Sequence, residues 1–280
     1  MSTLPSLSKL ISSETAKPLV ISHRGAWTEA PENSIQAMEL AADAGADMVE
    51  LDVQRTTAGH LFMMHDDTLD RMTNLSGPST DVTDDTFETM FLRQGAGGTD
   101  ALVTHHQVPS LHQTLEAARG RVHLNIDTKH RRDLDAVGNL VCSMGMEDQV
   151  LIKMLVNPAQ PDASIKKSRW FKDLSFMPVV LNPRSGRMAQ DALTVAHFYD
   201  AQMLEISFLS LSELDETSIA LHAEGVRLWC NTLDSVHPLD FHDTGALSDP
   251  DAVWGTLIRH GIGAIQTDHT AALSLFLRAK

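Results

Sequence analysis

The sequence predicts an α/β chain closed into a (β/α)8 barrel of the TIM type, on three observations. It holds eight short apolar runs, segments of helical period lie between them, and polar residues collect at the C-terminal ends of the runs. The runs cover residues 18–24, 48–54, 122–128, 150–154, 176–181, 203–207, 226–232 and 264–268. Their near-continuous apolar character indicates parallel strands covered by helices. A count of eight favours closure over an open doubly wound sheet. The open sheet would announce itself with a glycine-rich phosphate loop after the first strand, and His23-Arg24-Gly25-Ala26-Trp27 is not G-x-G-x-x-G.

Helical period occupies residues 34–44, 110–119, 133–144, 159–171, 188–198, 213–224, 249–260 and 270–278. The stretch from Gln54 to Val122 is too long for an ordinary connection. It contains the apolar run Leu61-Phe62-Met63-Met64, ending at His65, and a helical piece over 83–92 with Thr83 as N-cap. We read it as a hairpin followed by an inserted subdomain at about 66–110, lying over one side of the barrel mouth. Its Gly95, Gly97 and Gly98 suggest a mobile stretch.

With 280 residues and no Pro/Ser-rich linker, residues 1–280 are expected to form one barrel domain. Two cysteines far apart, Cys142 and Cys230, read as buried thiols in a reducing compartment. The N-terminus lacks a secretory pattern and no apolar run is long enough to span a bilayer, so a soluble cytoplasmic protein is expected. A formal net charge of −15 disfavours nucleic acid or an anionic membrane as partner. An anionic small molecule would have to be met by local cations.

Those cations and their counter-charges sit at the strand ends. Met48, Val49, Leu51 and Val53 make a strand of the second run, so Glu50 and Asp52 share a face, roughly 6.5–7 Å apart at the backbone. An E-x-D pair on a random strand belongs to a solvated edge, but the apolar neighbours weaken that reading here. Two carboxylates so close require a proton or cation between them, and a hard divalent ion suits oxygen ligands. With Asp127 from the third strand, Glu50 and Asp52 form a candidate site for one such ion, Mg²⁺ favoured over Ca²⁺ by cytoplasmic availability.

Arg24 and Lys129 are candidates to neutralise phosphate, the first as a fork and the second as a point charge. His23 and His65, placed beside the carboxylates, suit proton transfer at neutral pH. Of the fourteen histidines, His105, His106, His112, His123, His130, His237 and His242 read as loop or surface residues. Lys153, Glu205, Asn231 and Asp268 complete the ring. Glu205 is a candidate substrate contact, with a barrel-mouth salt bridge as the rival account for it, Lys153 and Asp268. Trp229 offers a flat wall for an alcohol moiety, with core packing as its rival.

Taken together, these residues resemble the glycerophosphodiester phosphodiesterase family. The similarity runs in order through Ser22-His23-Arg24-Gly25, Pro31-Glu32-Asn33-Ser34, Glu50-Leu51-Asp52-Val53, His65-Asp66-Asp67-Thr68-Leu69, Arg71-Met72-Thr73-Asn74, Leu124-Asn125-Ile126-Asp127-Thr128-Lys129, Trp229-Cys230-Asn231-Thr232 and Gly261 to Asp268. It implies a TIM barrel with a small insertion after the second strand. It also implies metal-dependent hydrolysis of glycerophosphodiesters to sn-glycerol 3-phosphate and an alcohol. By the same resemblance His23 and His65 are general acid and base, Glu50 and Asp52 hold the metal, Arg24 binds phosphate and Glu32 supports the site. Three positions depart from the family pattern. The third metal carboxylate, usually Glu, is Asp127; Thr57-Ala58-Gly59-His60 replaces the usual turn; and residues 153–158 and 204–208 match poorly. The alternatives are a sugar phosphodiester as substrate, a barrel that binds a phosphorylated ligand without turnover, and a glycoside hydrolase using Glu50 and Asp52. The last is disfavoured because two carboxylates on one strand cannot flank a bond. No motif speaks to oligomeric state.

Overall fold

The computed structural model describes residues 4–12, 17–181 and 184–279. A one-turn helix α1 (Leu7–Ile11) leads into β1 (Leu19–His23), α2 (Ile35–Asp43) and β2 (Met48–Arg55). An excursion then carries β3 (Leu61–Met63), α3 (Asp84–Glu88), β4 (Phe91–Arg93) and β5 (Val103–Gln107). The alternation resumes with α4 (Leu111–Ala118), β6 (His123–Thr128), α5 (Arg131–Ser143), β7 (Val150–Leu155) and β8 (Ser175–Val180). It ends with α6 (Met188–Tyr199), β9 (Met203–Ile206), α7 (Leu211–Ala223), β10 (Arg227–Asn231), α8 (Asp243–Ser248), α9 (Thr256–Arg259), β11 (Ile262–Thr267) and α10 (Thr270–Arg278).

Eight parallel strands close in the order β1, β2, β6, β7, β8, β9, β10, β11, and β11 pairs back onto β1. This is the (β/α)8 barrel that the apolar runs predict. Helix starts follow side-chain capping: Ser34 Oγ accepts from Ala37 N at 3.0 Å, and Ser110 with Gln113 forms a reciprocal capping box. The larger apolar cluster lies between strands and helices. A second fills the barrel floor, where Leu7 and Ile11 of α1 pack beneath Ile21, Met48, Leu151, Met177, Met203 and Trp229.

The excursion has a small core of its own. β3 pairs antiparallel with the end of β2, Val53 opposite Met63, and β4 pairs with β5. Phe62, Met64, Leu69, Met72, Met90 and Leu92 bury one another beneath it. The glycine stretch lies against Arg71. Gly95, Gly97 and Gly98 all take positive φ, Gly98 N donates to Arg71 O at 2.7 Å, and a Cβ on Gly97 would meet Arg71 O at 2.3 Å.

Four expectations are corrected. Residues 159–171 are not a helix but loop with two 3₁₀ turns, Ile165–Lys167 and Arg169–Lys172. Pro161 interrupts the helical ladder, Asp162 folds its carboxylate back onto Ser164 N, and Trp170 is pulled against α5 where Gly138 leaves room for its ring. Residues 249–260 do not open as an α-helix: Asp251–Gly255 is a π-helical turn that runs directly into α9, and Pro250 parts it from α8. The helical piece begins at its Thr83 cap but stops at Glu88, because residues 91–93 are taken into β4. His123 is not on the surface. It opens β6, is 1% exposed, and places Nε2 3.0 Å from Pro5 O at the barrel floor. Cys230 is buried and Cys142 partly exposed. Among the described residues no helix is long and apolar enough to cross a membrane.

Candidate active site

β2 and β6 run in register with Asp52 opposite Asp127, and Glu50 stands two residues below Asp52 on the same face. One carboxylate oxygen from each of Glu50, Asp52 and Asp127 lies within 4.8 Å of the others. Glu50 and Asp52 are 2% and 1% exposed, and Asp127 is partly open. An all-oxygen, all-anionic donor set of this span fits a hard divalent cation. The shorter side chain at Asp127 therefore still reaches the cluster.

Cations surround these oxygens. Lys129 Nζ lies 2.7 Å from both Asp52 Oδ1 and Asp127 Oδ2. Arg24 Nε sits 3.0 Å from Asp52 Oδ2, an ion pair without hydrogen-bond alignment. Burial alone would raise the Asp52 carboxyl, but Lys129 and Arg24 overcome it and hold the group well below its ordinary range. Glu50 goes the other way: burial, reinforced by Asp52, outweighs Lys153 and lifts it.

Asn33 also bears on this cluster, a role that sequence reasoning missed. Its Nδ2 donates to Asp52 Oδ2 at 3.1 Å and its Oδ1 accepts from Asp52 N at 2.9 Å. β1 ends opposite Glu50, so the Asn33 side chain continues the strand ladder one step beyond it. Arg24 and Asn33 both have positive φ, 55° and 59°, at the two ends of the loop that joins β1 to α2. Gly25 turns the chain at its start. At φ +82°, with an added Cβ 2.5 Å from the Ala37 carbonyl carbon, the position admits no side chain.

The two histidines arrive from different elements, each held by a carboxylate. His23 Nδ1 is 2.7 Å from Asp268 Oδ1, which also accepts from Trp27 Nε1 at 2.7 Å. Burial would raise the Asp268 carboxyl, and the bond to His23 brings it below its ordinary value instead. Asp268 N is in turn bonded to the buried Asp243 carboxylate at 2.8 Å. His65 Nδ1 is 2.7 Å from Asp66 Oδ1, and Arg71 clamps the Asp66 carboxylate through Nε at 2.7 Å and Nη2 at 2.9 Å. Arg71 Nη2 continues to Glu32 Oε1 at 2.6 Å, which Arg24 Nη1 meets at 3.2 Å. Glu32 thus joins the β1 loop to the excursion. In the sequence, proximity at strand ends is the only sign of the histidine pairings, and nothing local to Arg71-Met72-Thr73-Asn74 tells that Arg71 will reach Asp66 and Glu32.

The Arg71 hydrogen bonds hold Asp66 at about 2, below its ordinary 3.8, with partial burial opposing. A depressed carboxylate stabilises the fold fully above its unfolded pKa and loses that contribution as pH falls through the folded one. In urea unfolding between pH 2 and 5, the advantage of wild type over Asp66→Asn is therefore present at pH 5 and shrinks towards pH 2.

Lys153, Glu205 and Trp229 lie lower. Lys153 Nζ is 3.0 Å from Glu205 Oε2 and 3.3 Å from Glu50 Oε1, and Asn231 Nδ2 donates to Glu205 Oε1 at 2.9 Å. Glu205 is 2% exposed and fully engaged in this buried network. Trp229 is completely buried in the floor cluster, its Nε1 bonded to Asn231 Oδ1 at 2.9 Å. The structure therefore brings His23, Arg24, Glu32, Glu50, Asp52, His65, Asp127 and Lys129 together and sets Glu205 and Trp229 beneath them. Lys153→Met leaves two buried carboxylates facing each other without their shared cation. A loss of about 3–5 kcal/mol in urea unfolding is expected.

The sequence model of the glycerophosphoryl diester phosphodiesterase family matches residues 23–271. The chain belongs to this family. A glycerophosphodiester phosphodiesterase of Caldanaerobacter subterraneus subsp. tengcongensis is 52% identical over 67 residues, 24% of this chain and 28% of that protein. The matched stretch thus spans little more than a quarter of that relative's length. Among solved structures, a glycerophosphodiester phosphodiesterase from Agrobacterium tumefaciens superposes with a TM-score of 0.69 at 25% identity, over 92% of this chain and 99% of that one. An Oleispira antarctica phosphodiesterase, solved in complex with the product sn-glycerol-3-phosphate, shares the fold with a TM-score of 0.68 at 18% identity, over 96% of this chain and 99% of that one.

Proposed function

We propose that this chain hydrolyses a glycerophosphodiester to sn-glycerol 3-phosphate and an alcohol in a reaction that depends on one divalent cation. One observation carries the reading. Three carboxylate oxygens converge within 4.8 Å, and two histidines flank them, each with Nδ1 2.7 Å from a carboxylate oxygen.

Glu50, Asp52 and Asp127 would hold the cation, which when bound supplies positive charge to the phosphoryl oxygens. Arg24 and Lys129 take up phosphate charge from the other side, and Glu32 keeps Arg24 oriented through its ion pair. Asp268 and Asp66 accept from Nδ1–H and so fix the tautomer that leaves Nε2 of each imidazole to work. One Nε2 removes a proton from the attacking hydroxyl or water, and the other returns one to the departing alkoxide. Glu205 acts through Lys153 and Asn231 rather than on substrate. Trp229 supports the floor under Asn231. In the cytoplasm, which we propose as the site of action, Mg²⁺ is the more available ion.

The test is a panel of glycerophosphodiesters and sugar phosphodiesters assayed with Mg²⁺, with Ca²⁺ and with EDTA, reading phosphomonoester and free alcohol. Release of sn-glycerol 3-phosphate that EDTA suppresses is expected. Tight binding with no release under any cation would replace this reading with a ligand-binding barrel. Release from the sugar esters alone would move the substrate class.

A further inference from the structure

The half of the mouth built by β7 to β10 differs in kind from the half that carries the carboxylates. Leu155 stands opposite Val179, and Val179 opposite Glu205. Lys153 and Glu205 bond across the barrel interior, and Met177 packs in the floor cluster. Leu155 and Val179, each two residues further on, therefore face inward at the top of their strands. Where the β2–β6 side presents Asp52 and Asp127, this side presents aliphatic groups, and Leu155 is 56% exposed.

Two cavities open past these strand ends. One of about 440 Å³ is lined by Leu155, Val156, Pro158, Val180 and Leu181 with Arg184 at its edge. Its neighbour, of about 290 Å³, shares Leu181 and adds Ile206, Val236 and Pro238 on one side and the uncharged polar Ser207, Asn231 and Ser235, with His237, on the other. Asn231 of the second cavity bonds Glu205 of the buried network below, so that cavity stands above the Lys153–Glu205 pair. Leu209, Val236 and Leu239, 50%, 44% and 47% exposed, stand on the loops after β9 and β10. Leu239 adopts φ +50°, a conformation a leucine rarely takes. Single exposed apolar side chains are ordinary, whereas exposed Leu155 and Val236, each lining a cavity, mark a place that something apolar covers.

The lining narrows what that is. A quaternary or primary ammonium alcohol is recognised by carboxylates or aromatic faces. Among the described residues that line these cavities none is Asp, Glu, Phe, Tyr or Trp, and the ionisable ones are Arg184 and His237. We infer that the leaving alcohol of the substrate is uncharged and carries an extended apolar chain, seated across the ends of β7 to β10. The inference rests on the phosphodiesterase reading of the adjoining site and names the class of substrate it takes.

The experiment is a series of glycerophosphoalkanols with methyl, butyl and octyl alcohols, beside glycerophosphocholine, all below their aggregation limits and with Mg²⁺. kcat/KM should rise roughly two- to fourfold per methylene while the chain fills the cavities, and glycerophosphocholine should fall behind the butyl ester. In Leu155→Asp the octyl-to-methyl ratio collapses towards one, with Val236→Asp as an independent probe if that variant does not fold. Ile219→Asp, on the outer face of α7 and 72% exposed in wild type, keeps the wild-type ratio. A flat series with hydrolysis intact, or an equal collapse in Ile219→Asp, overturns the inference alone. No hydrolysis of any member overturns the reading beneath it.

Discussion

Replacing His23 or His65 with alanine lowers kcat by about 10²-fold or more in each case. Both rings are fixed by a carboxylate at Nδ1, and each reaches the site from its own element: His23 from the end of β1, His65 from just beyond β3. Neither belongs to the converging carboxylate oxygens, so the cation concentration for half-maximal activity should move far less than kcat. A glycerophosphodiester with a good leaving group, such as a nitrophenol, separates the two roles. The variant lacking the proton donor recovers on that ester, because the departing oxyanion no longer needs a proton, whereas the variant lacking the base does not. Unchanged turnover in either alanine variant would remove that histidine from the chemistry. Full recovery of both on the activated ester would leave the attacking group without a base among these two.

The site was legible where its order is local and periodic. Glu50 and Asp52 share a face because a strand repeats every two residues, and apolar neighbours marked that face as inward. The same periodicity leaves Trp229 open between substrate wall and core, because parity says which side a residue faces and not how deep it lies. Trp229 pairs in register with Glu205, yet its ring packs into the floor among Met48, Leu151 and Met203. The sequence allows a salt bridge for Lys153 and Glu205, and the structure forms it, but the full membership of the network is not legible. The network joins β2, β7 and β9, and nothing local tells that Glu50 will meet the other two. The same holds for the path from Arg24 through Glu32 and Arg71 to Asp66, closed only when the excursion folds back over the β1 loop. Helical period over 159–171 was overridden by Pro161 and by the docking of Trp170 against Gly138. α1, five residues long, owes its place to the floor it covers rather than to its own propensity.

Asp52→Asn is expected to raise the Mg²⁺ concentration for half-maximal activity and to lower kcat/KM by about 10²–10³-fold. The wild type should lose its activity in EDTA and regain it with added Mg²⁺. The Asp52 carboxylate receives Lys129 at 2.7 Å, Arg24 at 3.0 Å and Asn33 at 3.1 Å. Lys129 and Arg24 keep it ionised despite complete burial, which makes it the anion most firmly committed to a cation. Glu50, lifted by burial, is the less committed partner. An amide at position 52 removes one of three negative charges and leaves Arg24 and Lys129 balancing Glu50 and Asp127. The net negative charge that draws a divalent ion into the cluster is then gone. Thermal unfolding separates this from a folding defect: the variant should stay folded at assay temperature, and excess Mg²⁺ should restore part of its turnover. A variant that saturates with Mg²⁺ as wild type does would exclude Asp52 as a ligand. EDTA-insensitive wild-type turnover would exclude the cation altogether and leave Arg24 and Lys129 to carry the phosphate charge by themselves.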